Sequence, residues 1–201
     1  MSNLQKFFHV SVIPLSTNDF ISKYSNLTIW FKVFKHMQYL LLDLDNCKDK
    51  SQVDSLITKS MNALDFFLKY EKINFNQPLP EVFTFYMREV IAEKVRSDYF
   101  PHRPNRQESI FVVDNIQSAI DFNEKCHEGS AIIYECMPTK PSVLFKADMD
   151  LINHSYVDKV NPLSFKENMF TYWEAKEPIK IQEILCPCPV VVLRPYSFEL
   201  Y

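Results

Sequence analysis

Glycine is almost missing: one residue, Gly129, in a chain of 201. Glycine-rich phosphate cradles such as the P-loop and the G-x-G-x-x-G turn are therefore excluded, and any dinucleotide must be held by side chains and ordinary backbone. Long apolar runs are missing too: none approaches the roughly 18 residues of a membrane span, so no membrane partner is expected. A large excess of either charge is missing as well, with 22 Lys and Arg against 25 Asp and Glu. The formal net charge is −3, which gives no bulk attraction to nucleic acid or an anionic surface. The first eight residues, Met1 to Phe8, do not have the pattern of a secretory signal. The five cysteines (Cys47, Cys126, Cys136, Cys186 and Cys188) are odd in number and follow no disulfide framework, which suits a reducing, cytoplasmic setting. Cys186 and Cys188 offer two metal ligands, but no second pair has suitable spacing, so no metal site is expected.

What is present is ordinary in balance and rich in aromatics. Hydrophobic residues are 47% and charged residues 23%, with seventeen Phe and ten Tyr, which fits one domain over residues 1–201 with an aromatic core. Residues 7–13 read as a strand ended by Pro14. Leu15 to Phe20 reads as the opening of a helical region, with Ser16 or Thr17 as N-cap. Helical spacing continues over 29–44, over a helix capped by Ser51, and over one starting near Pro80 and running through Val95. Residues of about 17–97 thus form a helical lobe inserted after the first strand. An irregular, proline-pinned loop follows over 99–109. Then come a strand at 110–113, a helix capped by Asp114 and ending near Gly129, strands at 131–136 and 142–146, and helices over 149–160 and 163–176. The last segments are strands around Glu183 and Val190, with a final edge strand at 196–201. This order is an α+β pattern with a helical lobe.

Two polar residues on strands stand out. Glu183 lies inside an apolar strand, where a carboxylate is costly to bury unless something uses it; the other reading is an outward-facing position on an alternating strand. His9 sits among apolar neighbours, either as a core histidine or as a ligand.

Arg106-x-x-Ser109-Ile110-Phe111, followed by Ala119 and Phe122 on a helix, resembles the central segment of ADP-ribosyltransferases. Glu183-Ile184-Leu185 before a Val-rich strand resembles the last catalytic segment of that family. Arg88-Glu89, Glu93, Arg96, Phe100-Pro101 and the Tyr172-Trp173 pair are similar to a poorly characterised bacterial branch of it. The resemblance covers His9 and about 85–193 and leaves the helical lobe out. It implies a split mixed or antiparallel sheet core and a mono-ADP-ribosyltransferase that cleaves NAD at the nicotinamide–ribose bond. It makes Glu183 the carboxylate that stabilises the ribosyl cation, with His9 bonding a ribose or orienting the nicotinamide half and Ser109 supporting Glu183 and the carboxamide. Val10, Ser11, Phe111 and Phe122 line the nicotinamide half, and Arg103 and Arg106 meet the pyrophosphate. For those two arginines a solvated loop charge is the competing reading. Three departures accompany the resemblance. Val10 stands where the family has glycine; the stacking Tyr has no clear counterpart, with Phe122 or Tyr134 as substitutes; and Ile181 occupies a position that makes arginine a disfavoured acceptor.

The acidic balance favours a protein acceptor, in a toxin, a delivered effector or a phage-conflict system. The cluster Arg88, Lys94, Arg96, His102, Arg103 and Arg106 keeps a nucleic-acid acceptor as the runner-up. A non-catalytic module on the same fold is a further alternative. An RNA 2′-phosphotransferase shares the fold but requires more basic phosphate ligands than this pattern provides.

Overall fold

The computed structural model describes residues 5–22, 27–153, 162–176 and 179–196. Its elements run β1 (Phe7–Ser11), β2 (Phe20–Ile21), α1 (Leu27–Leu40), a 3-10 turn (Leu42–Asn46), α2 (Lys50–Tyr70) and α3 (Leu79–Tyr99). A second 3-10 turn (Arg106–Glu108) leads to β3 (Ile110–Val112), α4 (Ile116–His127), β4 (Ile132–Pro138), β5 (Phe145–Asp148) and α5 (Asp150–Asn153). The chain then forms α6 (Pro162–Glu174), β6 (Gln182–Cys186) and β7 (Val190–Pro195). This is an α+β chain with antiparallel sheets. No described helix is long and apolar enough to cross a membrane. The expected edge strand beyond Tyr196 and most of the expected 149–160 helix lie outside the described residues.

Two compact units share the chain: residues 1–25, 101–151 and 171–201 in one, 26–100 and 152–170 in the other. The first unit holds two sheets, ordered β1-β4-β7-β2 and β3-β6-β5. A single isolated bridge between Phe8 and Val113 links β1 to β3, through N–H···O contacts of 2.8 and 2.9 Å. Alternation along β1 sorts its side chains. Phe8 and Val10 pack with Ile116, Ala119 and Ile120 of α4, while Phe7 joins Ile110, Val112, Ile184, Cys186 and Val190 in the larger core. α4 starts where Asn115, not Asp114, accepts the Ser118 amide at 2.8 Å. It ends with Glu128 and Gly129 both left-handed, at φ 52° and 71°, so the lone glycine stands at a helix terminus.

The segment after Pro14 is not helical. The Asp19 carboxylate accepts the Ser16 amide at 2.6 Å and closes a turn, with Asn18 at φ 70°. The chain then exchanges backbone bonds with Val192, and Phe20–Ile21 becomes β2, an edge strand on β7. A local side-chain bond competed with helix formation and a β partner completed the alternative. The helical unit accordingly begins later than the sequence suggests, and it recruits residues 152–170 from further along.

In that helical unit α2 is capped by Asp49 rather than Ser51, its side chain accepting the Gln52 amide at 2.9 Å. α3 has Pro80 in its first turn and buries Val82, Phe83, Tyr86, Met87, Ile91 and Val95. It also buries charge. Arg88 donates to the Ile152 carbonyl at 3.0 Å, and Arg96 grips Glu93 with two bonds of 2.7 and 2.8 Å.

Candidate active site

The 3-10 turn at 106–108 places one cation. Asn105 caps it by accepting the Gln107 amide at 2.9 Å, and its carbonyl takes the Ser109 hydroxyl at 2.8 Å. Arg106 then points into the protein and is 5% exposed. It is not a solvated loop charge. On β6, Glu183 is 3% exposed and lies opposite Ala147 of β5, whose small side chain leaves room on that face. Arg106 Nη1 donates to Glu183 Oε1 and, at 2.6 Å, to the Tyr172 hydroxyl. The Tyr172 hydroxyl in turn donates a hydrogen bond to Glu183 Oε1 at 2.6 Å. Burial, aided by the Glu183 charge and opposed by Arg106, pushes the Tyr172 phenol well above its ordinary range, so it stays a donor.

This triad sits on the sheet face carrying Phe145, Leu185 and Phe111, which are paired in register across β5, β6 and β3. Trp173 stacks on Phe145 with centroids 5.2 Å apart, and Tyr172 meets the same ring edge-on at 5.9 Å. Arg103 lies 4.6 Å over the Phe145 ring, and Arg106 lies 4.9 Å over that of Phe111.

Phe111 also ties in His9. Its carbonyl accepts from His9 Nδ1 at 2.9 Å. A carbonyl cannot donate, so Nδ1 carries the proton and Nε2 of the neutral ring is an acceptor. Burial holds the His9 pKa below its usual 6.5, with the Phe111 bond opposing part of that shift. Tyr134 is directly opposite His9 on β4, on the same sheet face, and its hydroxyl accepts the Leu15 amide at 2.8 Å.

His9, Phe111, Arg106 and Glu183 are thus joined in one chain of contacts, with Arg103 on the same sheet face as Glu183. The remaining expected site residues are used differently. Ser109 gives its hydroxyl to Asn105, not to Glu183. Ser11 closes a local turn on Ile13, donating at 2.9 Å to its carbonyl. Val10 faces α4, on the side of β1 opposite His9, and Phe122 packs edge-on against His127 of its own helix at 5.5 Å. Sequence reasoning missed Tyr172 as a site residue. The available signal was the need of a buried strand carboxylate for a second donor, together with a tyrosine on the preceding helix.

A family model described as "Protein of unknown function (DUF2441)" matches residues 14–198. The chain belongs to the DUF2441 family. Arg106, Tyr172 and Glu183 fall within the DUF2441 match, whereas His9 precedes it. No curated protein matches the chain.

Proposed function

We propose that this DUF2441 protein is an NAD-dependent mono-ADP-ribosyltransferase acting on a protein acceptor. The observation that carries the reading is the Glu183 carboxylate, held by Arg106 and Tyr172 on β6 of the three-stranded sheet, which meets the His9 sheet at the Phe8–Val113 bridge. The donor set suits the substrate. His9 Nε2 accepts a ribose hydroxyl, Arg103 and Arg106 offer guanidinium forks to a pyrophosphate, and the 40% exposed Phe111 offers a ring to nicotinamide. As the C1′–N bond breaks, nicotinamide leaves with the bonding electrons and positive charge grows on the ribose. Glu183 stabilises that charge. The acceptor side chain then bonds to C1′ and releases its proton. Arg106 covers Glu183 in the free protein, so it must exchange the carboxylate for the pyrophosphate when substrate enters.

A protein acceptor is favoured over nucleic acid because the basic cluster is largely spent. Arg88 and Arg106 are buried, Arg96 is paired with Glu93, and Lys94 is paired with Asp45 and Asp98. The test is incubation of the full chain with labelled NAD and a cell lysate, comparing wild type with Glu183→Gln. Turnover per folded molecule should fall by a factor on the order of 10² or more. Unchanged turnover in the folded variant would make the triad purely structural. Label on nucleic acid would replace the protein acceptor.

A further inference from the structure

The helical unit contains a cavity of about 290 Å³ that the NAD reading does not use. Trp30 of α1, Phe75 of the α2–α3 connection, and Phe85 and Tyr86 of α3 form its aromatic walls. Tyr86 is the hub. Its ring centroid lies 5.8 Å from Trp30, 6.1 Å from Phe75 and 5.4 Å from Phe85, with interplanar angles of 39°, 66° and 90°. The four rings therefore face in different directions around one space. Trp30 is braced from behind by stacking on Phe34, with centroids 5.1 Å apart and planes 9° from parallel. Tyr86 is buried, while Glu81 and Gln77, both exposed, supply the polar part of the lining.

Two features of this lining select the charge of an occupant. Among the described residues, the sole charged side chain of the lining is Glu81. The ring faces carry negative quadrupoles, so walls and rim attract the same sign. One of these rings already accepts a cation within the protein, since the Arg88 guanidinium lies 5.7 Å from the Phe85 centroid. A further feature selects the kind of cation. A primary ammonium carries three N–H donors and a guanidinium five, yet among the described lining side chains the acceptors are Glu81 and Gln77, both exposed, and the single hydroxyl of the buried Tyr86. A fully methylated ammonium has no donors to satisfy and an apolar surface that suits aromatic walls.

We propose that this cavity is a binding site for a quaternary ammonium group, presented by a trimethylated lysine or by a free choline-type molecule. The site is independent of the NAD reading, and none of its residues belongs to the Glu183 cluster.

Calorimetric titration of the full chain tests this with three probes: a trimethyl-lysine peptide, choline, and 3,3-dimethylbutan-1-ol, the uncharged carbon isostere of choline. At least one cation should bind about fivefold to thirtyfold more tightly than the isostere. A tighter peptide identifies a protein as the source; equal or tighter choline identifies a small molecule. Glu81→Gln, an exposed substitution, should weaken the cation several-fold and leave the isostere unchanged. Trp30→Leu should abolish binding of both. Binding of both cations no tighter than that of the isostere, or no saturable binding of either cation, overturns the proposal.

Discussion

At the residue scale the decisive feature is a buried ion pair whose two ends come from a 3-10 turn and a strand. Removing one end of such a pair strands the other in a poor dielectric. Arg106→Ala should therefore lower stability by about 3–5 kcal/mol, read from denaturant midpoints. The sequence reading left Arg106 either on a pyrophosphate or in solvent, because nothing local in residues 99–109 signals that it turns inward. Glu183→Gln should also destabilise the fold, and so its effect on turnover has to be taken per folded molecule. Tyr172→Phe removes a hydroxyl that bridges both ends of the pair, at a cost of roughly 1–3 kcal/mol. His9 gives a pH signature. Its folded pKa is depressed below 6.5, so the unfolded chain binds the proton more readily. The neutral ring's contribution to stability is complete above pH 6.5 and is lost as pH falls through the folded pKa. His9→Gln should flatten that slope in unfolding midpoints measured from about pH 5.5 to pH 7.5.

At the element scale, strongly periodic segments were the most legible. The stripes of α1, α2 and α3 and the apolar strands β1, β3, β4 and β6 sit close to their expected positions, because a sustained 3.6- or 2-residue period marks the face that each element buries. Edges and caps were less legible. Asp49 and Asn115 cap where Ser51 and Asp114 were expected, since adjacent candidates compete and backbone geometry decides. β2 could not be read at all: two residues carry no period, and their pairing with β7 joins positions far apart in sequence. The triad was legible in part. Glu183 stood out as a carboxylate in a strand, but its partners lie 77 and 11 residues away, and only the fold brings them together. At this scale, Asn115→Ala should cost about 1 kcal/mol through loss of the α4 cap, measurable by thermal unfolding.

At the scale of the whole molecule, the two units interleave along the chain, which passes between them at 25/26, 100/101, 151/152 and 170/171. Neither unit is one continuous segment, so we expect them to unfold together. The two tryptophans make this measurable, because Trp30 belongs to one unit and Trp173 to the other. Trp30→Phe and Trp173→Phe proteins should show coincident fluorescence transitions in urea; separated midpoints would mean independent units. Within the unit that holds Glu183, the bridge at Phe8 and Val113 has a mechanical meaning. Two backbone contacts, with the His9–Phe111 bond beside them, form a narrow weld between a sheet of four strands and a sheet of three. Opening that weld leaves each ladder intact, and it works against the core that Phe7 and Val190 of one sheet share with Ile110, Val112 and Ile184 of the other. The amides of Phe8 and Val113 are therefore strain gauges: their deuterium uptake, relative to that of Ile184 in the middle of β6, reports how often the two halves of the site part company.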